Sequence, residues 1–463
     1  MKILLLNPSQ STVYGSKVKP SYAPLGMLYI ASVLEKEGHQ IDFWDFDNDE
    51  LDEKKLKSIL LKFKPDLIGF TATTSTIQHA KKIAKYSKNL TNAKIIFGGI
   101  HTTIAPNDVL KEDYIDLIII GEGEISIKNL VKELEKKKPN FSGIRGIGYK
   151  VGGKIKLNPP QPLVENLDDI PFPARHLIKN PYIPPDALKN PVTTIMTSRG
   201  CPGRCTYCCT KNIFGFRLRF RSVESIITEI ESALKNGSKE IHIMDDNFTV
   251  HKQRVLEFRD EILKRKIKTT FVFSNGIRAD KIDEDILKAL KDIGVLSVGF
   301  GVESGNQRIL DNIKKDIKLD TVRKAYKLAK KFGFETWGFF IVGLPGENKE
   351  TVNDTIEFAK ELDPDFAKFL ILKPYPGSEV FKQLDKDKLI FNFDYDNYGV
   401  YTKPVHNLPE LSAQEMIDLQ KKAFRRFYLR PKKIFQHLRR MKSFTQLKLN
   451  IFSAMFVFKK MFS

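Results

Sequence analysis

TSRGCPGRCTYCC (197–209) holds all four cysteines of a 463-residue chain. Cys201, Cys205 and Cys208 stand as CxxxCxxC, with Arg199-Gly200 ahead of them and Cys209 directly behind. Four cysteines in one window cannot staple distant elements together, because a disulfide framework needs partners spread along the chain. A reducing, cytoplasmic setting is therefore expected. Three thiolates on one loop suit a [4Fe–4S] cluster, which normally takes four protein ligands, so one iron is left open for a small-molecule ligand. The competing readings are a zinc ribbon, which usually needs a second ligand pair at a distance, and a redox dithiol, which needs only CxxC. Cys209 should point away from Cys208 and pack as a small residue, since a fourth thiolate would close the open site.

Outward from this window the chain is regular. VTTIMTS (192–198) begins a strand–helix series that continues with EIHIM (240–244), TTFVF (269–273), LSVGF (296–300), WGFFIV (337–342) and FAKFLIL (366–372). Six such units suit an open, partial (β/α)6 barrel of the TIM type, with active residues just after the strands. The first 135 residues repeat a similar pattern in KILLL (2–6), IDFWD (41–45), LIGFT (67–71), KIIFGG (94–99) and DLIII (116–120). Between them Met27, Ile30, Ala31 and Leu34 fall at helical spacing, as do Leu56, Ile59, Leu60 and Phe63, and Gly38 sits where the first helix should stop. The expected fold is α/β: a doubly wound parallel sheet over 1–135, a connector with a hairpin and proline-rich path over 136–191, the partial barrel over 192–405, and a helical basic tail over 406–463.

The cluster loop and the segments after the next four strands resemble the radical S-adenosylmethionine superfamily. MDDNF (244–248) resembles the segment that meets the methionyl amino group, which implies Asp245 and Asp246 as contacts. FGVESG (300–305) is similar to the ribose-contacting segment, with Glu303 and Ser304 as its polar members. GFFIVGLPGE (338–347) looks like the family's GxIxGxxP stretch, implying Gly338, Ile341, Gly343 and Pro345 beside the adenine. KPYPGSEVF (373–381) follows the sixth strand, and SNGIRAD (274–280) offers Asn275 and Arg278 near the cofactor, with helix capping as the competing role.

The amino-terminal unit resembles the cobalamin-binding domain that often precedes this barrel. PLGMLYIASVLEKEGHQIDFWD (24–45), PDLIGFTATTS (65–75), IIFGGIHTTIAP (95–106) and GEGE (121–124) carry the likeness. It implies Thr71, Thr73, Ser75, Gly98, Gly99, Thr102, Gly121 and Gly123 as cobalamin contacts. One departure stands out: neither His39 in EGHQID nor His101 in GIHTTI has the DxHxxG setting of a cobalt-ligating histidine, so His101 is expected to be a polar loop residue.

The resemblance implies an enzyme that splits S-adenosylmethionine reductively at the cluster, forms a 5′-deoxyadenosyl radical, and functionalises an unactivated carbon of a small or lipid-like substrate. Methyl transfer from cobalamin is the leading expectation, and ring closure or another rearrangement is the alternative. An electron donor such as flavodoxin or ferredoxin is implied as partner. No cysteine precedes Cys201, which separates the chain from the methylthiotransferases that carry a second cluster. From another class, a docked binding protein that has lost turnover would keep the same fold.

The net charge of +20 is dominated by one end: residues 421–463 carry thirteen Lys or Arg and no Asp or Glu, with eight Phe among them. Phe444, Leu447, Ile451, Met455, Phe458 and Phe462 recur three or four apart. Such a segment fits the headgroup region of a membrane, a nucleic-acid backbone, or an apolar stripe packed on the barrel; nucleic acid is the least favoured, since no compact recognition module accompanies it. The amino terminus has too short an apolar run for a signal peptide, so the expected location is cytoplasmic, with peripheral contact at the inner face of the membrane as the extension.

Overall fold

The computed structural model describes residues 1–11, 22–184 and 187–440. Its amino-terminal unit is one seven-stranded sheet. β1 (Lys2–Asn7), β2 (Gln40–Asp45), β3 (Leu67–Thr71), β4 (Lys94–Gly98) and β5 (Leu117–Ile119) are parallel in the order β2-β1-β3-β4-β5. Antiparallel β6 (Ile147–Val151) and β7 (Lys154–Leu157) extend the β5 edge. The hairpin between them turns through Gly152 and Gly153, both at positive φ, so the sheet runs past residue 135 into the stretch read as connector.

The helices of this unit include α1 (Leu25–Lys36), α2 (Glu53–Phe63), α3 (Ile77–Leu90), α4 (Ile100–Ile104) and α5 (Glu124–Leu134), with a single turn at Pro106–Leu110 after α4. Alternate residues of β1 point to opposite faces, and each face finds a separate core. Ile3 and Leu5 pack with Met27, Leu34 and Ile127 of α1 and α5, whereas Leu4 and Leu6 pack with Leu56, Leu60 and Ala80 of α2 and α3. Helices on both faces account for the near-continuous apolar strands. Gly38 follows α1 at φ 86°, where the spacing puts the stop.

The second unit begins with β8 (Val192–Ile195) and a short antiparallel pair, β9 (Ser198–Arg199) with β10 (Arg219–Phe220), that flanks the cysteine loop. β11 (Glu240–Ile243) and β12 (Thr270–Phe273) join β8 in one parallel sheet, ordered β12-β11-β8. β13 (Ser297–Glu303), β14 (Glu335–Val342) and β15 (Phe366–Ile371) form another, and the bridge between Ile277 and Phe300 connects the two. Six parallel strands in chain order make the expected open barrel. Among the described residues β15 does not pair back to β8.

Outside the strands lie α6 (Val223–Lys235), α7 (Lys252–Lys264), α8 (Glu284–Asp292), α9 (Leu319–Lys331) and α10 (Lys349–Leu362). β14 shows why the barrel has an inside: Thr336, Gly338, Phe340 and Val342 are buried toward the helices, while Glu335, Trp337, Phe339 and Ile341 are half-buried on the other face. α11 (Ala413–Tyr428) starts at a capping box between Ser412 and Glu415 and covers β15. Gln420 donates to the Phe369 carbonyl (2.7 Å), and the Tyr428 hydroxyl both donates to the Ala367 carbonyl and accepts from its N–H (2.9 Å each). α12 (Pro431–Arg440) follows. The apolar stripe from Phe444 to Phe462 lies outside the described residues.

The turn after β14 stores a pH dependence. Glu347 is buried, accepts from the Gly343 and Leu344 N–H groups through one oxygen, and leaves the other without a partner. Burial pushes its carboxyl up to about 8. Between the ordinary glutamate range and that value the folded state holds a proton that the unfolded state releases, so this group's contribution to stability falls as pH rises. Glu347→Gln keeps the accepting oxygen and removes the titration. Its melting temperature relative to the parent is expected to climb from pH 5 to pH 8, and a difference that stays flat across that range contradicts the assignment.

Candidate active site

The cysteine loop is aimed by a glycine. Gly200 has φ 97°, and a Cβ there would lie 2.3 Å from the Arg217 carbonyl oxygen, so no side chain fits where β9 turns into Cys201. At Gly203 an added Cβ would stand 3.3 Å from Cys201 Sγ, 3.9 Å from Cys205 Sγ and 3.7 Å from Arg278 Nη1. Two thiols and a guanidinium therefore converge over bare backbone. Burial pushes the Cys201 and Cys205 thiols up, and Lys315 pulls Cys205 the other way. Among the described residues no three His, Cys, Asp or Glu side chains are gathered around a point as a lone metal ion requires. Three soft donors on one loop fit a multi-iron cluster. Cys209 turns aside, its Sγ 3.6 Å from the Pro376 carbonyl, and burial pushes it up to about 12, which keeps it a thiol at neutral pH.

The residues expected around S-adenosylmethionine separate into two groups. Asp245 is fully engaged below the rim: it accepts from Thr197 N (2.6 Å), from the Thr197 hydroxyl (2.5 Å) and from the Ser198 hydroxyl (2.5 Å), tying β11 to the start of the cluster loop. Asp246 is the half-buried neighbour, held by Thr210 at 3.2 Å, and burial pushes its carboxyl up to about 6. Asn275 donates to the Met244 carbonyl (2.9 Å). Arg278 spans Asp280 (2.8 Å) and the Lys315 carbonyl (3.0 Å) while reaching the cysteine loop.

Glu303 ends β13 at a register shift, in the left-handed region at φ 66°, which is costly for a residue with a side chain. There it accepts from Tyr207 (3.0 Å), inside the cysteine loop, and from the buried Lys315 ammonium (2.7 Å). Ser304 points instead into the core, 3.2 Å from Thr355. Ile341 faces the barrel interior, but Gly338 faces the helix layer, where a Cβ would meet Phe340 and Tyr326. Gly343 and the buried Pro345 form the turn beyond β14, with the Gly343 carbonyl accepting from His406 at 3.1 Å.

In the amino-terminal unit an apolar cavity of about 190 Å³ lies between the sheet and helices α1 and α5 and opens at the carboxyl ends of the strands. Thr71, Gly98, Gly99, Gly121 and Gly123 line it. Glycines keep it hollow: a Cβ at Gly26 or Gly121 would meet nothing within 4 Å, and one at Gly98 would first touch Ile119 at 4.0 Å. A narrow, dry slot that side chains would fill fits the nucleotide tail of cobalamin. Thr73, Ser75 and Thr102 are not part of its wall. Thr73 and Ser75 bond each other at 3.2 Å, and Thr102 donates back to the Gly98 carbonyl. His101 is fully buried in α4, 3.2 Å from the Thr74 hydroxyl and 3.5 Å from Asp108, so it is a core residue rather than a loop one. Among the described residues no histidine lines the cavity.

A buried ion-pair network that the sequence did not announce joins the two halves. Arg199 donates to Glu122 (3.2 Å) and Glu124 (2.6 Å), and Arg219 grips both oxygens of Glu122 (2.7 and 2.9 Å), with the Val164 N–H completing it. Tyr29 and Phe214 hold the Arg199 guanidinium between their rings. Arg199, Glu122 and Glu124 also line the cavity, and Arg199 stands two residues before Cys201. The signal was present in GEGE and in SRG, but two acidic residues and an arginine 75 and 77 positions away carry no mark of pairing in one dimension.

A thiol-lined barrel mouth facing a glycine-hollowed doubly wound domain defines a two-cofactor radical enzyme. Residues 195–359 match the model of the radical SAM superfamily and residues 11–131 that of the B12 binding domain. The chain is 37% identical to an uncharacterized methyltransferase of Pyrococcus horikoshii, over 94% of this chain and 95% of that protein. It is 29% identical to an anaerobic magnesium-protoporphyrin IX monomethyl ester cyclase of Rubrivivax gelatinosus, over 93% of this chain and 78% of the other. Among solved structures, the cobalamin-dependent S-adenosylmethionine radical enzyme OxsB, with aqua-cobalamin and S-adenosylmethionine bound, superposes with a TM-score of 0.75 at 18% identity, over 100% of this chain and 72% of that one. The chain belongs to the radical SAM superfamily and is a cobalamin-dependent member of it, with a [4Fe–4S] cluster, S-adenosylmethionine and cobalamin as cofactors.

Removing one partner of a buried charge network leaves the others uncompensated, at a cost of about 3–5 kcal/mol. Glu122→Ala is expected to lose stability on that scale, read as a lower denaturation midpoint, and Glu122→Gln to lose less. An Ala variant as stable as the parent would show that the network does not hold the halves together.

Proposed function

We propose that this enzyme transfers a methyl group to an unactivated carbon. The observation that carries the reading is the position of Arg199, which belongs at once to the wall of the amino-terminal cavity and to the lead-in of the cysteine loop. A methyl donor and a radical source would thus face one chamber. The relative of 37% identity that carries a methyltransferase name supports the same outcome.

When bound, the cluster with S-adenosylmethionine supplies a carbon-centred radical, and cobalamin supplies the methyl group that replaces the abstracted hydrogen. Cys201, Cys205 and Cys208 would hold the cluster. Asp246, Asn275 and Arg278 stand at the rim beside it, where a carboxylate and two donor groups can orient the amino and carboxylate ends of S-adenosylmethionine. Glu303, held by Lys315 and Tyr207, offers a fixed acceptor at the end of β13. Thr71 and the glycines at 98, 99, 121 and 123 would admit cobalamin closely against backbone. Trp337, Phe339 and Ile341 make the inner wall apolar, which excludes water from a reactive intermediate.

Ring closure without methyl transfer is the second reading, favoured by the 29% identity to a cyclase. Both readings are separable with S-adenosylmethionine deuterated in its methyl group. The anaerobically reconstituted enzyme, given reductant and an extract of lipids and small metabolites from its own source, is expected to form 5′-deoxyadenosine together with a methyl-deuterated product. Unlabelled product beside 5′-deoxyadenosine would replace methyl transfer by cyclisation. Cys205→Ala is expected to abolish 5′-deoxyadenosine, and persistence of that product would remove the cluster assignment.

A further inference from the structure

The 190 Å³ cavity of the amino-terminal unit offers nothing polar along its depth. Its floor is the sheet face on which Ile3 lies beside Leu67 and, further along, Leu5 lies beside Gly69 and Ile96. Leu5 crosses the bare backbone of Gly69, where an added Cβ would meet Leu5 Cδ2 at 2.8 Å. Met27 and Leu34 of α1 and Ile127 of α5 form the roof, and Met196 and Phe214 join the wall from the barrel unit. The backbone supplies no partner either. β1, β3 and β4 are each paired on both sides, so their N–H and C=O groups are spent in the ladder, and the interior of α1 is satisfied within the helix.

The polar side chains of the wall gather at the mouth and are taken up there. Arg199 holds Glu122 and Glu124, Tyr29 lays its ring 5.4 Å from the Arg199 guanidinium, and Thr71 ends β3. One acceptor is left over: Glu124 Oε2 is buried and has no partner among the described residues. A ligand group that fills the depth below this mouth must therefore be apolar, because each polar atom it carried would lose water and gain no hydrogen bond.

Corrinoids differ in just such a group. The base that ends the nucleotide tail is dimethylbenzimidazole in cobalamin, with methyl groups on its outer edge. In other corrinoids it is adenine, which carries an exocyclic amine and free ring nitrogens, or a cresol, whose ring has no free polar atom. We propose that the amino-terminal cavity selects its corrinoid by this lower base, accepting bases with a wholly apolar edge and excluding adenine and other purines. The specificity lies in Leu5, Leu34, Ile96 and Ile127, which leave a buried amine without a partner. It rests on a corrinoid being held by this unit, and is independent of whether a methyl group is transferred.

Equilibrium dialysis tests it. The full-length protein, freed of corrinoid and kept anaerobic, is dialysed against the methylated forms of cobalamin, adeninyl cobamide, cresolyl cobamide and cobinamide, which lacks the tail altogether. Adeninyl cobamide and cobinamide are each expected to bind at least about tenfold more weakly than cobalamin, and cresolyl cobamide more tightly than adeninyl cobamide. Cobinamide binding as well as cobalamin would put the tail outside the cavity. Adeninyl cobamide binding as well as cobalamin, or better through the unpartnered Glu124 oxygen, would show that polar bases are admitted, and adeninyl ahead of cresolyl cobamide would show that shape rather than polarity selects. Each of these outcomes overturns the proposal. Ile30→Gln, at a half-buried wall position of α1, places an amide beside the base. It is expected to narrow the gap between adeninyl cobamide and cobalamin at least about threefold, and a folded variant with the parent's ratio overturns the assignment of the wall. The parent comparison needs no variant. None of these readouts requires S-adenosylmethionine cleavage, so their failure is distinct from failure of the methyl-transfer reading.

Discussion

The geometry of this enzyme depends on charges kept out of water. Glu122 and Glu124 rise from the end of the cobalamin-domain sheet and close on Arg199 and Arg219, which bracket the cysteine loop. Surface ion pairs are weak and yield to salt, but these four side chains are all buried, so losing one partner leaves a charge with nowhere to go. The network therefore works as a latch whose two sides are each useless alone. It sets where the loop that would carry iron stands relative to the cavity that would carry the corrin, and chemistry that passes a group between two cofactors cannot tolerate slack there.

The barrel answers a second constraint, which is that a radical site must be open to substrate and closed to water. Six strands leave the ring unclosed, and its two sheets line the chamber differently. Around β11 the interior is polar and internally satisfied, Glu240 holding His242 and His242 reaching Tyr22 and Ser274. Along β14 and β15 it is aromatic and half-buried. An apolar substrate has only one side to lie on. Tyr22 reaches this interior from the amino-terminal unit, so the chamber draws on both halves of the molecule.

Several residues were readable in one dimension because their chemistry is local. The three cysteines belong to one loop, and their spacing suits a [4Fe–4S] cluster, the group that the resemblance also implies. Gly98, Gly99, Gly121 and Gly123, named through the resemblance to a cobalamin-binding domain, line a cavity at the strand ends that their missing side chains leave hollow. Other expectations depended on which way a side chain turns. Asp245 and Asp246 are adjacent, yet the first is consumed by Thr197 and Ser198 and only the second stands at the rim. Gly338 fits its motif but faces Tyr326 in the helix layer, and Ser304 fits its motif but bonds Thr355. Of the two residues that grip Glu303, Lys315 lies in no quoted motif, and Tyr207 sits inside the cysteine motif without a chemistry that marks it there.

The strand–helix alternation, the open barrel, the cysteine loop and the charge at the carboxyl end are legible in one dimension, because each is written in periodicity, spacing or composition over a few neighbouring residues. Folding in three dimensions is what brings Glu122 and Glu124 to Arg199 and Arg219, sets Glu303 against Lys315, and buries Phe424 and Phe427 of the basic segment while exposing Leu429, Ile434 and Phe435. Pairing across 75 or 97 residues is chosen by the packing of whole elements, and the face a helix buries is chosen by what lies beneath it, neither of which a local pattern contains.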